Sequence, residues 1–208
     1  MFRLTFAAVC LASSAAASFT PGMECPEYDR QPNFDTKGYL GTWYEVKTDR
    51  TIWYDIGAEC TTANYQLNLD GSIQVYNRSR HSRNGKYGTI TGKAVESQVT
   101  GPGGLVVDFF AEPDRTKEAN YNVFDTDYNT YALFYNCEQR KIFGKSGAYE
   151  YFSILARTPT LPDDLYEKLE AKTRATFPKY KYNIFVRNTT QGGDCEYDPE
   201  PHAQQFLN

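Results

Sequence analysis

The chain has 208 residues, a formal net charge of −4, and an aromatic excess of 17 Tyr and 13 Phe. Its Lys and Arg are scattered among Asp and Glu instead of forming a run, which argues against nucleic acid as a partner, because that binding rests on phosphate neutralisation. Charged side chains also break every apolar run short of the roughly 18 residues that a membrane-spanning helix needs.

Residues 1–17 read as a secretory signal. Arg3 is followed by an apolar stretch from Leu4 to Leu11, and Ala15 and Ala17 supply the small-x-small pattern for cleavage near Ser18. The mature chain is therefore expected to be secreted and extracellular, as one domain over residues 18–208. Cys10 leaves with the signal, whereas Cys25, Cys60, Cys137 and Cys195 remain. An even count in an oxidising compartment reads as two disulfides, with three connectivities open. The absence of any C-x-x-C pair speaks against structural zinc, and no metal is expected.

An arm with prolines at 21, 26 and 32 comes first, too punctuated for a regular element. Gly41-Thr42-Trp43-Tyr44 then opens a series of short alternating runs, at 43–49, 59–69, 72–82, 86–96, 104–111, 119–125, 130–137 and 148–157. Asp70-Gly71 and Asn84-Gly85 supply hairpin turns between the second and third and the third and fourth runs. The spacing suits an all-β sandwich or barrel, with a single up-and-down meander the simplest topology; in a closed eight-stranded barrel Trp43 can plug one end and leave a cup for a small apolar molecule, whereas alone it also reads as an ordinary core tryptophan after a turn. Tyrosine in such numbers suits both strands and the wall of a cavity.

One helix, about residues 162–176, stands after the strands. Pro162 is expected at its first position, Asp163 and Asp164 at its positive end, and Leu161, Leu165, Leu169 and Thr173 form a narrow apolar stripe for packing outside the barrel. A short strand is expected at 183–186, then a polar tail tied near Cys195.

Parity within the third run assigns its faces. Gln74, Arg78 and Arg80 share one side, so Ile73, Val75, Asn77, Ser79 and His81 face inward. The inner end of that strand is polar, which leaves two readings: these groups meet a ligand or water inside a cavity, or they sit at a wet rim. Ile90, Gly92 and Ala94 share a face, as do Leu105, Val107 and Phe109, and Ala63, Tyr65 and Leu67. For 119–137 both faces are apolar, and parity assigns neither. Two glycan acceptor patterns occur, at Asn77 and Asn188; an inward Asn77 cannot carry a glycan, so Asn188 is the expected site. Ile52-Trp53-Tyr54, in the loop after the first strand, is a candidate contact with a membrane, a lipoprotein or a partner, or a cap over the cavity mouth, although folding under the loop is the commonest fate of such a triplet.

Catalytic constellations are thin. His81 and His202 are the two histidines, and no Ser-His-Asp set or metal cluster can be drawn. Gly144-Lys145-Ser146 has the end of a phosphate loop but Gln139 where its first glycine belongs.

Taken together, Asn33-Phe34-Asp35 with Gly41-x-Trp43-Tyr44-Glu45, then Thr126-Asp127-Tyr128, then Arg157 before Thr158-Pro159, resemble the three ordered signatures of the lipocalins. Ala63-Asn64-Tyr65, Val75-Tyr76-Asn77-Arg78 and the run Leu155 to Pro162 are most similar to the apolipoprotein D-like branch, with its bacterial and bilin-carrying invertebrate members. The resemblance implies an eight-stranded antiparallel up-and-down barrel with Trp43 at its closed end and Arg157 packed across the Trp43 ring, and the disulfides Cys25–Cys137 and Cys60–Cys195. It also implies a ligand pocket that includes Tyr65, Asn77 and His81, to which the inward faces and the wall add Ile73, Val75, Ile90, Phe109 and Ser153. Ser153 departs from the tryptophan that this branch carries there, which implies a wider or more polar cavity. The expected activity is non-enzymatic carriage of a small hydrophobic ligand such as a fatty acid, sterol or retinoid, with no required cofactor beyond a bound lipid or bilin. The alternatives are a bilin pigment carrier, a lipocalin-type isomerase relying on a reactive thiol, and a protein-interaction module.

Overall fold

The computed structural model describes residues 19–50 and 57–198. The signal peptide, Ile52-Trp53-Tyr54 and His202 lie outside the described residues. Eight antiparallel strands form the wall: β2 (Gly41–Asp49), β3 (Ala58–Leu67), β4 (Ile73–His81), β5 (Tyr87–Glu96), β6 (Gly104–Asp108), β7 (Tyr121–Thr126), β8 (Tyr131–Ile142) and β9 (Lys145–Ala156). Each pairs with the next, and β9 returns to β2 through Tyr44–Ala156 and Thr48–Ser153, which closes the barrel. A preceding strand, β1 (Phe19–Pro21), adds to β9, and a short helix, α1 (Thr36–Tyr39), enters at the plugged end.

Turn chemistry sets the hairpins as expected. Gly71 and Gly85 have φ of 79° and 65°, and the preceding Asp70 and Asn84 side chains accept from the backbone N–H of Ser72 and Lys86. β6 stops earlier than the sequence pattern implied because Asp108 Oδ1 accepts from the N–H groups of Phe110 and Ala111, turning the chain outward. β8 and β9 run longer than expected, meeting at a tight turn where Phe143 and Gly144 both take positive φ. That hairpin turn is the structural role of Gly144-Lys145-Ser146.

Helix α2 spans Asp163–Thr176, with Pro162 as its N-cap and not its first residue. Its Leu161–Thr173 stripe buries Leu161, Leu169 and Thr173 against the barrel, and Leu165 packs there half-buried. This layer explains the ambiguous parity of 119–137. Val123, Ala132 and the inner residues face the barrel interior, while Phe124, Leu133 and Tyr135 face α2, so both sides of those strands are apolar. The strand expected at 183–186 is instead one helical turn, α3 (Tyr182–Phe185), followed by a strand, β10 (Val186–Asn188). Tyr182 and Phe185 are both buried in the layer beneath α2, and a spacing of three brings them to one side only on a helical turn.

β10 does more than trail the fold. It pairs with β2 at Lys47–Asp49, and past it Thr190 O accepts from Cys60 N at 2.7 Å, while the Gln191 amide bridges Glu45 O and Thr61 O. The C-terminal segment therefore lies between β2 and β3 in the half of the barrel where those two strands have parted. Cys60–Cys195 fastens it to β3, and Cys25–Cys137 fastens the N-terminal arm to β8. The outward side of β4 completes the clamp: Arg80 pairs with Glu59 and Asp194, Arg78 with Asp198 and the Glu196 carbonyl, and Tyr76 donates to Asp198.

Candidate ligand cavity

The plugged end is built around Trp43, fully buried. The Arg157 guanidinium carbon lies 3.6 Å from the centroid of its ring, a cation–π contact, and Trp43 Nε1 donates to Tyr39 O at 2.8 Å. Arg157 donates in addition to the carbonyls of Tyr128, Thr42 and Gly38, each at 2.9 Å. Hydrogen bonds to a charged donor contribute about 1.5–3 kcal/mol each, so this one side chain ties three segments together. Gly41 sits beneath it at φ 90°, a conformation suited to glycine, with no Cβ to crowd the guanidinium.

The other signature residues serve the same floor. Asp127 Oδ1 accepts from the backbone of Asn129, Thr130 and Tyr131, which outweighs the upward push of burial and holds its carboxyl below the ordinary value. Thr126 Oγ1 donates to Tyr131 O and accepts from Tyr128 N. Asp35 caps α1 and accepts from Lys37 N, while its own N–H donates to the Tyr128 hydroxyl, and Phe34 packs onto Tyr39.

Above the plug the lining changes character. Tyr65, Ile73, Val75, Ala94, Leu105 and Val123 form one buried cluster with Trp43 and Tyr39. Three phenols meet there: Tyr39 and Tyr121 hydroxyls are 2.7 Å apart, and Tyr65 donates to Tyr121 at 3.2 Å. Burial pushes the Tyr65 phenol up to about 12, partly opposed by the Tyr121 hydrogen bond, and raises Tyr39 and Tyr121 well above the ordinary phenol value. Two residues past Val75 on β4, facing inward, Asn77 is paired in register with Ala63 and Ile90. Its Oδ1 is buried and has no hydrogen-bond partner. Ile90 is 42% exposed although the register sets it on the inward side, opposite Asn77.

Phe109 lies over Gly92, its ring 2.7 Å from where a Cβ would stand, and packs on the floor cluster. Ser153 pairs with Phe134, which stacks on Tyr121 with centroids 4.4 Å apart. The Ser153 hydroxyl contacts Thr48 Oγ1 at 2.9 Å and donates to Glu45 Oε2 at 3.3 Å, so the polar character expected there is directed at a carboxyl group. His81 and Ser79 lie higher, at the rim, lining with Ala58, Asn84, Lys86, Tyr87 and Gly88 a cleft of about 280 Å³. His81 is exposed, and its Nδ1 accepts from Arg83 N at 3.2 Å. The structure thus joins Tyr65, Ile73, Val75 and Phe109 into one floor, sets Asn77, Ile90 and Ser153 in the wall above, and leaves His81 at the mouth.

Sequence reasoning missed Glu45, Tyr39, Tyr121 and Phe134. Glu45 was within reach, two residues after Trp43 on the same strand; Tyr121 and Phe134 were hidden by the two-sided strands. Among the described residues, no group of three or more His, Cys, Asp or Glu is placed to hold a metal ion.

A closed eight-stranded barrel, plugged at one end by a tryptophan under an arginine and lined above by apolar and isolated polar groups, defines a cup-shaped binding protein by its architecture. A family model described as a lipocalin-like domain matches residues 34–187, and the chain belongs to the lipocalin family. Apolipoprotein D of Rattus norvegicus is 36% identical over 141 residues, spanning 68% of this chain and 70% of the rat protein. The outer membrane lipoprotein Blc of Escherichia coli strain K12 is 33% identical over 152 residues, 72% of this chain and 77% of Blc. Insecticyanin of the tobacco hornworm Manduca sexta shares the fold at TM-score 0.71 and 22% identity, covering 88% of this chain and 94% of that one. Lobster apocrustacyanin A1 does so at TM-score 0.65 and 22% identity, over 87% and 95% of the two chains.

Proposed function

We propose that this protein is a secreted carrier that reversibly holds a small hydrophobic ligand inside the barrel and performs no chemistry on it. The observation that carries this reading is the contrast between the packed floor and the wall above it, where Ile90 is set inward by its register yet is exposed. An apolar guest covers it at roughly 25 cal/mol per Å² buried. Two disulfides support an oxidising, extracellular setting, and they engage Cys25, Cys60, Cys137 and Cys195, which weighs against a thiol-dependent isomerase.

Native mass spectrometry of the protein purified under mild conditions, followed by organic extraction, tests the reading. A stoichiometric lipid of a few hundred daltons is the expected result. A visible absorption band would redirect the reading to a bilin guest, and a protein that neither retains nor takes up any apolar molecule would overturn it.

A further inference from the structure

In an up-and-down barrel alternate connections share an end, so 82–86, 109–120 and 143–144 all lie opposite the Trp43 plug. Phe110 and Phe143 project there, 94% and 101% exposed. Phe110 is turned outward by the Asp108 carboxylate, which accepts from its N–H and from that of Ala111. Phe143 stands at the tip of the β8–β9 ribbon, whose ladder continues to Ile142–Lys145, well beyond Phe134, where β7 leaves β8. Its φ is 48°, followed by 79° at Gly144, the geometry for which two-residue hairpin turns take Asn, Asp or Gly. A bulky aromatic in that conformation strains the backbone. Folding alone therefore favours another residue at this tip.

Charge divides along the same axis. The turn 82–86 and the ribbon tip 141–145 hold Arg83, Lys86, Lys141 and Lys145, all exposed, and no acidic residue. None of the four makes an ion pair among the described residues. In 109–120, Glu112, Asp114 and Glu118 are offset by Arg115, Lys117 and by Lys93, which pairs with Glu112 at 2.7 Å. Residues 50–57, which join β2 to β3, carry one charge of each sign, Arg50 and Asp55. The plugged end is the reverse: Asp35, Asp70, Glu96, Asp127, Asp163 and Asp164 stand against Lys37, with Arg157 withdrawn over Trp43. A chain of net charge −4 thus approaches an anionic surface mouth first.

We infer that the open end docks on an anionic phospholipid surface, with Phe143 and Phe110 entering the interface and Lys141, Lys145, Arg83 and Lys86 meeting the head groups. Apolar tips set among cations are the chemistry of interfacial lipid binding, in which buried apolar area and attraction to anionic head groups add. Such docking sets the mouth of the cup against the bilayer, and it depends on the rim alone, whatever the barrel holds.

Co-sedimentation of the purified protein with phosphatidylcholine vesicles, with and without phosphatidylserine, tests this at low and at high salt. Binding to the anionic vesicles is expected to be roughly tenfold tighter or better than to the neutral ones, and to fall steeply as salt rises. Lys141→Glu combined with Lys145→Glu should remove most of that preference. Phe143→Asn relieves the turn, so it should keep or raise the melting temperature while weakening vesicle binding about fivefold, the effect of one partly buried aromatic ring. Equal binding to both kinds of vesicle, binding to neither, or binding untouched by these substitutions overturns the inference while leaving the carrier reading standing. A concentration-dependent dimer in sedimentation velocity without vesicles, dissolved by Phe143→Asn, overturns it as well, because the tip then docks on a second copy of the chain.

Discussion

The two halves of the barrel are built on opposite rules. In the plugged half inward side chains meet one another, and one guanidinium binds three backbone segments over a buried indole. In the open half the wall is assembled from pieces, with the C-terminal segment lying between β2 and β3, and the inward Ile90 is left exposed. The first arrangement gives stability, and the second gives room. Local stability differs across a fold in this way wherever a binding surface must stay unfilled.

The sharpest way to break that contrast is to attack each half and read stability. Trp43→Ala should cost about 3–5 kcal/mol in urea unfolding, the range for emptying a packed aromatic site; a loss below about 1 kcal/mol would show that the plug is not integral. Removing the open-half staple with Cys60→Ser and Cys195→Ser should cost about 2–5 kcal/mol, because a long loop is released in the unfolded chain, and limited proteolysis should then cut first in the tail.

Alkali addresses the floor alone. Tyr39, Tyr65 and Tyr121 have folded phenol values raised above the ordinary 10, so their contribution to stability is complete below pH 10 and is lost as pH climbs through the folded values, about 12 for Tyr65. Thermal unfolding should therefore weaken steadily from pH 10 toward pH 12, with part of the phenolate absorbance appearing only on unfolding. Simple titration of every tyrosine near pH 10 in the folded protein would contradict the enclosed floor.

Ile90→Glu is the complementary test: less than about 0.5 kcal/mol of stability change, because the position is open, with loss of apolar ligand uptake. The smallest expected effect is covalent. Peptide mapping after expression in a glycosylating host should find sugar on exposed Asn188 and none on Asn77, and full occupancy of Asn77 would contradict its inward register.

Where solvent lies on one side of a strand, the sequence was legible. Arg78 and Arg80 marked the outside of β4, and the opposite residues fall on the inward side, as parity required. Where α2 covers the outer face, apolar Phe124, Leu133 and Tyr135 erase the alternation, and Tyr121 and Phe134 could not be placed. The 182–185 turn was read as a strand because four residues cannot separate a period of two from one of three without knowing what Tyr182 and Phe185 pack against. The Trp43–Arg157 plug and both disulfides came from the family resemblance, since contacts over 112 or 135 residues leave no trace in local pattern. The carboxyl group of Glu45 was passed over as part of a signature, although its position two residues from Trp43 already turned it inward.

The account rests on an open inner wall at Ile90. Titration of the native protein and of Ile90→Trp with an uncharged, environment-sensitive fluorescent lipid tests it most directly, because the indole would occupy that opening without touching the plug. One saturable site in the native protein, abolished in the variant at unchanged melting temperature, is the predicted result; equal binding by both, or by neither, would contradict it.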